Sequence, residues 1–513
     1  MSVQQPHGHG TTASVDLFIL TFNAGKAQIN DAVFARHLRN AFARNASALP
    51  EILVVCLQEM APLEHSFIGS YMINPYFESW VSAVNLAAKY SVASPGRDEN
   101  ENENEDENED AYAEHRYRDE HDDGLQVTPR HRHPPYTLVT TRNVGMTGIL
   151  LFTRDPGALQ DVKSTEVSFG AGDMANKGAV GLRMLLSKHD ADGRKIQTEL
   201  TFVGTHLAPH EWNLEKRNKN WASIVSGLLF EDPKKLRSAK SIYPTPRSSE
   251  TESDDDEGGA LLSRNPHKRA LHDITIYKPG SHLFVAGDLN YRISKTGPTS
   301  KSVFPVLDTK SPNYFKRFLD LDQLNIEKAA GRTLHGLTEP TISFPPTYKL
   351  KLANEDEAQV VQSDSSPGHD VVVWKWAPNR WPGWCDRVLY LDIPPWVSQS
   401  SAEADIAIDV IAYDALPPVR TSDHRAVFLR LAVPVIDPSV LAPPDQLYAT
   451  HSNDPRIKLP YPVDFDSWDN RARVKKWEWL IGWSMVVSQS KQGIAFFTTL
   501  FLVGLGAWWL RSR

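Results

Sequence analysis

The stretch HLFVAGDLNYR, residues 282–292, runs through apolar residues and then breaks at Gly287 into Asp288 and Asn290. A β-rich run without alternation reads as a strand buried on both faces. The same shape recurs along the chain. LFILTF from Leu17 ends at Asn23, ILVVCL from Ile52 ends at Gln58 and Glu59, and LTFVG from Leu200 ends at Thr205 and His206. Further strands are expected at 148–153, 179–186, 387–391, 406–412 and 426–431, and helices around 31–45, 66–90 and 211–229. Strands outnumber crossover helices, so a simple doubly wound sheet does not fit. Two sheets packed together and flanked by helices do.

The chain has 513 residues, enough for one large α/β domain with insertions. Its formal charge of −8 argues against a nucleic-acid partner, which usually meets a basic footprint. Much of the acidity is local, at 98–110 and 250–257, where few apolar residues accompany the charge and disorder is expected. Polar insertions are read near 95–132, 240–265 and 352–370, and residues 1–14 as a disordered N-terminus. Two cysteines, Cys56 and Cys385, make no disulfide framework and fit a reducing compartment. The N-terminus lacks a basic region followed by an apolar core, so no signal peptide is expected and the bulk should face the cytosol.

Cleaving a phosphate ester needs a cation on the non-bridging oxygens, a deprotonated water and donors for the extra transition-state charge. A Mg2+ site is usually built from one or two carboxylates plus waters, and Glu59, closing a buried strand, is a candidate ligand. Residues i and i+2 of extended backbone project to one side. Asp288 can then take a proton from water while the Asn290 amide holds that water or a phosphate oxygen; an Asp-x-Asn turn after Gly287 is the alternative. Asp423 and His424 are adjacent and would face apart in a regular strand. A loop entering the strand 426–431 lets both reach one centre. His424 can bind phosphate or shuttle a proton if a carboxylate fixes its tautomer; Asp386 is the candidate partner, and His206 a second donor.

These strings, in this order, resemble the inositol polyphosphate 5-phosphatases of the endonuclease/exonuclease/phosphatase superfamily. The similarity runs from about Thr21 to Val427 through TFN (21–23), LQE (57–59), NKGAV (176–180), GTHLAPH (204–210), GDLNYR (287–292), PPTYK (345–349), PGWCDRVL (382–389) and SDHR (422–425). GDLNYR and WCDR are specific to these phosphatases; the Glu, Asp-x-Asn and Asp-His elements belong to the wider superfamily. The resemblance implies a DNase I-like four-layer α/β sandwich. It also implies that Glu59 carries Mg2+ with Asn23 beside it and Asp423 near it, and that Asp288 is the base, oriented by Asn290. His424, paired with Asp386, and His206 would stabilise charge on the phosphoryl group. Tyr348 and Lys349 are similar to the family's reader of the neighbouring 4-phosphate, Arg380 fits the basic position there, and Lys177 resembles a substrate-contacting lysine. Two positions depart from the pattern: Val285 stands where Trp is common, and Ala175 where Gly is common.

From Gly493 to Leu510 no residue is charged. Eighteen residues at ~1.5 Å rise give roughly 27 Å, about the thickness of a thin bilayer core. Trp508 and Trp509 sit at the far end, and Arg471, Arg473, Lys475, Lys476 and Lys491 outnumber Arg511 and Arg513 downstream. The expectation is a transmembrane anchor at 493–510, a catalytic domain at 15–433 and a linker at 434–476. A bare catalytic domain with such a tail looks like a small fungal tail-anchored type on the endoplasmic reticulum. The implied activity is Mg2+-dependent removal of the 5-phosphate of phosphatidylinositol 4,5-bisphosphate at a membrane surface, by a monomer. The alternatives are a phosphodiesterase of the same superfamily (nuclease or sphingomyelinase) and an inactive phosphoinositide-binding tether.

Overall fold

The computed structural model describes residues 13–92, 134–190, 192–239, 266–354, 360–362, 372–400 and 406–512. The expected disordered N-terminus lies outside them apart from its last two residues. The insertions at 95–132 and 240–265 lie outside them altogether, and the one at 352–370 in large part.

The chain first lays down β1 (Ser14–Asn23), β2 (Ile52–Gln58), β3 (Thr137–Val144) and β4 (Thr147–Thr153). It continues with β5 (Leu159–Ser168), β6 (Gly178–His189), β7 (Lys195–His206) and β8 (Ser281–Asp288). Short strands β9 (Leu337–Thr338), β10 (Leu350–Leu352), β11 (Val360–Gln362) and β12 (Val372–Trp376) precede β13 (Asp386–Leu391), β14 (Asp409–Ala415) and β15 (Val427–Pro434). Two mixed six-stranded sheets result, ordered β14-β15-β1-β2-β4-β3 and β5-β6-β7-β8-β13-β9; β10, β12 and β11 form a small third sheet.

Alternation along each strand explains how the sheets pack. Leu17 and Ile19 of β1, Val54 and Cys56 of β2, Leu200 and Phe202 of β7, and Phe284 and Ala286 of β8 share one core between the two sheets. The intervening residues face helices. Phe18, Leu20 and Phe22 meet Phe34 and Leu38 of the helix Asp31–Phe42 and Trp80 of the helix Asn74–Val92. Val203, Leu283 and Val285 meet Trp221 and Ile224 of the helix Leu214–Gly227. This is a DNase I-like α/β fold of four layers, helix, sheet, sheet, helix. It is why β2, β8 and β13 are buried at every position. The helix Asp31–Phe42 starts where the Asn30 side chain accepts from the Val33 N–H, with Asp31 favourably placed in the first turn.

β3 and β5 have no counterpart among the expected strands. Both are edge strands with many part-exposed positions, so neither carries an apolar run.

Beyond β15 the chain stays on the domain surface, burying Tyr448, Arg456 and Ile457. The helix Ser467–Gln489 packs against the helix Leu63–Ile68, and the helix Lys491–Arg511 follows, capped by Ser490. The expectation of a membrane-anchored tail, and with it the localisation at the endoplasmic reticulum, is corrected here. Among the described residues no helix is long and apolar enough to cross a membrane.

Candidate active site

The alternation that builds the inter-sheet core also fills one edge of it with polar groups. Continuing each inward-facing series by two residues on β2 and β8, and by four on β1 and β7, reaches Gln58, Asp288, Asn23 and His206. On β13, Val388 and Tyr390 face the core, so Asp386 does too. β7 and β8 are parallel and β13 is antiparallel to β8, in a register that places His206, Asp288 and Asp386 in one row. Neighbouring strands lie ~4.8 Å apart, so three side chains of one row on one face must touch. From the other sheet β1 runs parallel to β2 and antiparallel to β15, bringing Asn23, Glu59 and the 422–425 loop to the same edge.

Asp288 is the hub. Its Oδ2 accepts from Asn23 Nδ2 at 3.0 Å and lies 3.2 Å from His206 Nε2 and 3.9 Å from His424 Nε2. Its Oδ1 accepts from the main-chain N–H of Asn290 at 3.1 Å. Burial works against its charge, but His206 and His424 outweigh burial and hold the carboxyl well below the usual range. Asn290 adopts φ 57°, so the extended spacing ends at Asp288 and a turn follows. The Asn290 amide donates to Leu207 O at 3.2 Å and accepts from Arg292.

His424 Nδ1 lies 2.8 Å from Asp386 Oδ2, which also accepts from Thr347 Oγ1 at 2.7 Å. Burial opposes the imidazolium, yet Asp386 and then Asp288 lift His424 to about 9. The ring is charged at neutral pH, with Nδ1–H on Asp386. Its backbone is set by Ser422, whose hydroxyl accepts from His424 N at 3.0 Å and donates to Asn23 O at 2.6 Å. His206 goes the other way. Burial and then the Lys177 ammonium push it down, and Lys177 Nζ lies 2.8 Å from its Nε2.

Glu59 follows β2 with φ 44°, and its carboxylate sits 3.7 Å from Lys177 Nζ and 3.8 Å from Lys26 Nζ. Asp423 Oδ2 accepts from Lys349 Nζ at 2.6 Å. The Tyr348 ring lies between His424, 4.6 Å away, and the Arg292 guanidinium, 4.3 Å away. Arg380 sits part-exposed, bonded to Asn379 O at 2.8 Å. Thus Asn23, His206, Asp288, Asp386 and His424 come together. Glu59, Lys177, Asp423 and Lys349 surround them, and Asn290 reaches the cluster through its main chain. Ser422 and Arg292 had no assigned part in the sequence reading, and Thr347 entered only within the 4-phosphate string, although all three stand inside the strings it used.

The oxygens of Glu59, Asn23 and Asp423 form the hard donor set that a Mg2+- or Ca2+-like ion takes, so the residues present fit such an ion. Ligand atoms of Asp288, Asp386 and His424 also lie within 4.8 Å of one another. A protonated imidazole whose Nδ1–H is bonded to Asp386 has no lone pair to give, so this trio is a proton-holding group.

Residues 20–430 match the endonuclease/exonuclease/phosphatase family 2. The chain is 27% identical over 269 residues to type I inositol polyphosphate 5-phosphatase 13 of Arabidopsis thaliana, covering 52% of this chain and 20% of the relative. It is 24% identical over 295 residues to phosphatidylinositol 3,4,5-trisphosphate 5-phosphatase 2A of Danio rerio, covering 57% and 18%. The chain therefore spans about a fifth of the length of these curated relatives. Among solved structures, the inositol polyphosphate 5-phosphatase domain of SPsynaptojanin, in complex with inositol (1,4)-bisphosphate and calcium ion, is 17% identical; 93% of each chain is covered with a TM-score of 0.48.

Proposed function

Because this chain belongs to endonuclease/exonuclease/phosphatase family 2, we propose that it is a phosphoinositide 5-phosphatase. Its substrate is phosphatidylinositol 4,5-bisphosphate at a membrane surface, and its product phosphatidylinositol 4-phosphate. The observation that carries this reading is the charged His424–Asp386 pair set beside the ionised Asp288 at one edge of the inter-sheet core.

Mg2+, held by Glu59 with Asn23 and Asp423, would supply positive charge to the non-bridging phosphate oxygens. Asp288 accepts a hydrogen bond from the attacking water and takes its proton as the new P–O bond forms. Asn23 and the Asn290 N–H fix the aim of its two oxygens. The Nε2–H of His424, at 3.9 Å from Asp288, is too far to be consumed by that carboxylate and donates to the phosphoryl group. His206 and Lys177 add donors on the other side. Tyr348, Lys349 and Arg380 read the 4-phosphate at the rim, which selects a vicinal bisphosphate.

The test is phosphate release by the full chain from vesicles containing phosphatidylinositol 4,5-bisphosphate, with Mg2+ or with EDTA, beside Asp288→Ala. Inositol 1,4,5-trisphosphate, plasmid DNA and sphingomyelin are run in parallel. The reading expects EDTA-sensitive release of one phosphate, leaving the 4-phosphate lipid and falling at least about 10³-fold in the variant. Turnover of phosphodiesters alone, or vesicle binding without release, would overturn it.

A further inference from the structure

The helix Ser467–Gln489 lies beyond residues 20–430, the part of the chain that matches the family. It nevertheless sends a carboxylate toward the candidate site. Glu478 is 2% exposed while its neighbour Trp477 is 61% exposed, so Glu478 is the residue the helix turns inward. Its Oε1 accepts from the main-chain N–H of Ala175 at 2.7 Å. Arg471, one face of the same helix earlier, holds both Glu478 oxygens at 2.9 and 2.8 Å through Nη1. Arg471 is itself fixed by Glu166 of β5 at 2.8 Å. A buried carboxylate costs several kcal/mol of desolvation unless paired and hydrogen-bonded. Here it is both, and one of its partners is an active-site loop.

Two further hydrogen bonds continue the line. Ala175 O accepts from Met146 N at 3.3 Å, and Met146 O accepts from Met60 N at 3.1 Å. The turn that makes this possible contains Gly145 at φ +49°, where an added Cβ would fall 1.9 Å from Ala175 O. Three bonds therefore join Glu478 to the residue after Glu59, and the first of them fixes the residue two before Lys177. The helix meets the Glu59 side directly as well. At Gly482 an added Cβ would stand 3.0 Å from both Phe67 and Ile68, on the helix Leu63–Ile68 that follows Glu59.

We propose that Glu478 is a positioning residue: the C-terminal helix clamps, through Glu478 and Gly482, the two segments that carry Lys177 and Glu59, and so sets the 3.7 Å approach of those side chains to each other. The inference rests on the functional reading above, in which both side chains act on a phosphorylated substrate or its metal. Loss of the clamp leaves Asp288 and Asp386 untouched, because their strands are held by the sheet register, and His424 stays held by Asp386 and Ser422. It frees a loop, and a shift of order 1 Å at a positioning group is enough to lower turnover by one to two orders of magnitude.

The experiment uses the full chain with Glu478→Ala and Glu478→Gln, each checked by thermal melting. Inositol 1,4,5-trisphosphate serves as a soluble substrate for kcat and KM, and hydrogen exchange is followed at the Ala175–Lys177 amides. Glu478→Ala should raise KM and lower kcat/KM about tenfold and speed exchange at Ala175. Glu478→Gln, which keeps an acceptor for the Ala175 N–H, should recover most of both. An active wild type with a folded Glu478→Ala of unchanged kcat, KM and exchange overturns the clamp and leaves the phosphatase reading standing. Equal losses in Ala and Gln variants, without faster exchange at Ala175, would also overturn it. A wild type that releases no phosphate from any inositol phosphate overturns the phosphatase reading itself, and the clamp's catalytic role with it.

Discussion

Asp386→Asn separates charge from shape at the centre of this site. The substitution keeps the volume and can keep the bond from Thr347, but it removes the charge that faces His424 Nδ1 at 2.8 Å. Burial by itself would discharge His424; Asp386 and Asp288 together lift it from the usual 6.5 to about 9. At about 1.4 kcal/mol per pH unit that lift is worth about 3 kcal/mol in favour of the imidazolium. Asp386 is the nearer carboxylate and the larger contributor, so its loss should remove about 2 kcal/mol of that, moving the titration down by about 1.5 pH units and lowering kcat about twofold at pH 7.5 and far more at higher pH. The pH profile gives the sharper readout. A raised pKa means the charged form is present at low pH and lost as pH rises through the folded value. The wild type should therefore lose activity only near pH 9, and the variant should begin to lose it near or below neutrality. Phosphate release from inositol 1,4,5-trisphosphate between pH 5.5 and 9.5 measures both quantities. A folded variant with unchanged kcat and an unmoved alkaline limb would refute the assignment of His424 as a charge donor held by Asp386.

Arg387, beside Asp386, has a different task. Its guanidinium is fully buried on Glu339, at 2.6 and 2.5 Å, and on Asp322 at 3.0 Å. Arg387→Met leaves two buried carboxylates unpaired and should destabilise the fold by about 3–5 kcal/mol in urea unfolding; a midpoint within error of wild type would contradict this. His272 and His282 are pushed down to about 4, in both cases by burial first. Because the folded value is the lower one, the unfolded chain takes up protons first as pH falls. Stability is then full above pH 6.5 and drains away toward pH 4, by about 2 kcal/mol per histidine between pH 7 and 5. His282→Leu should remove about half of that slope, and an unchanged slope would exclude His282 as a source. Asp288→Ala and Glu478→Ala, described above, test the base and the clamp by separate readouts.

How much of this was legible beforehand differs from residue to residue. The strings around 17–23, 52–59, 200–206 and 282–288 announced strands because burial on both faces leaves an apolar run. Their polar ends announced a site because a row of buried strands has one open edge. Edge strands β3 and β5 left no such trace, since solvent covers one side of each. The spacing of Asp288 and Asn290 suggested two side chains on one face. The left-handed turn at Asn290 instead gives Asp288 a main-chain donor. The uncharged tail read as a membrane span, but among the described residues no helix is long and apolar enough to cross a membrane.

The sequence by itself determined which side chains enter the space between the sheets, because strand alternation is local and any strand's inward series can be counted to its end. It also determined the order of the strings and hence the family. Only the tertiary structure decided which of those side chains meet. The pairing of Asp386 with His424 crosses between the sheets, and that of Glu478 with Ala175 spans 303 residues. Contacts of that kind depend on strand register and on how a distant helix docks, and no local pattern of residues carries either.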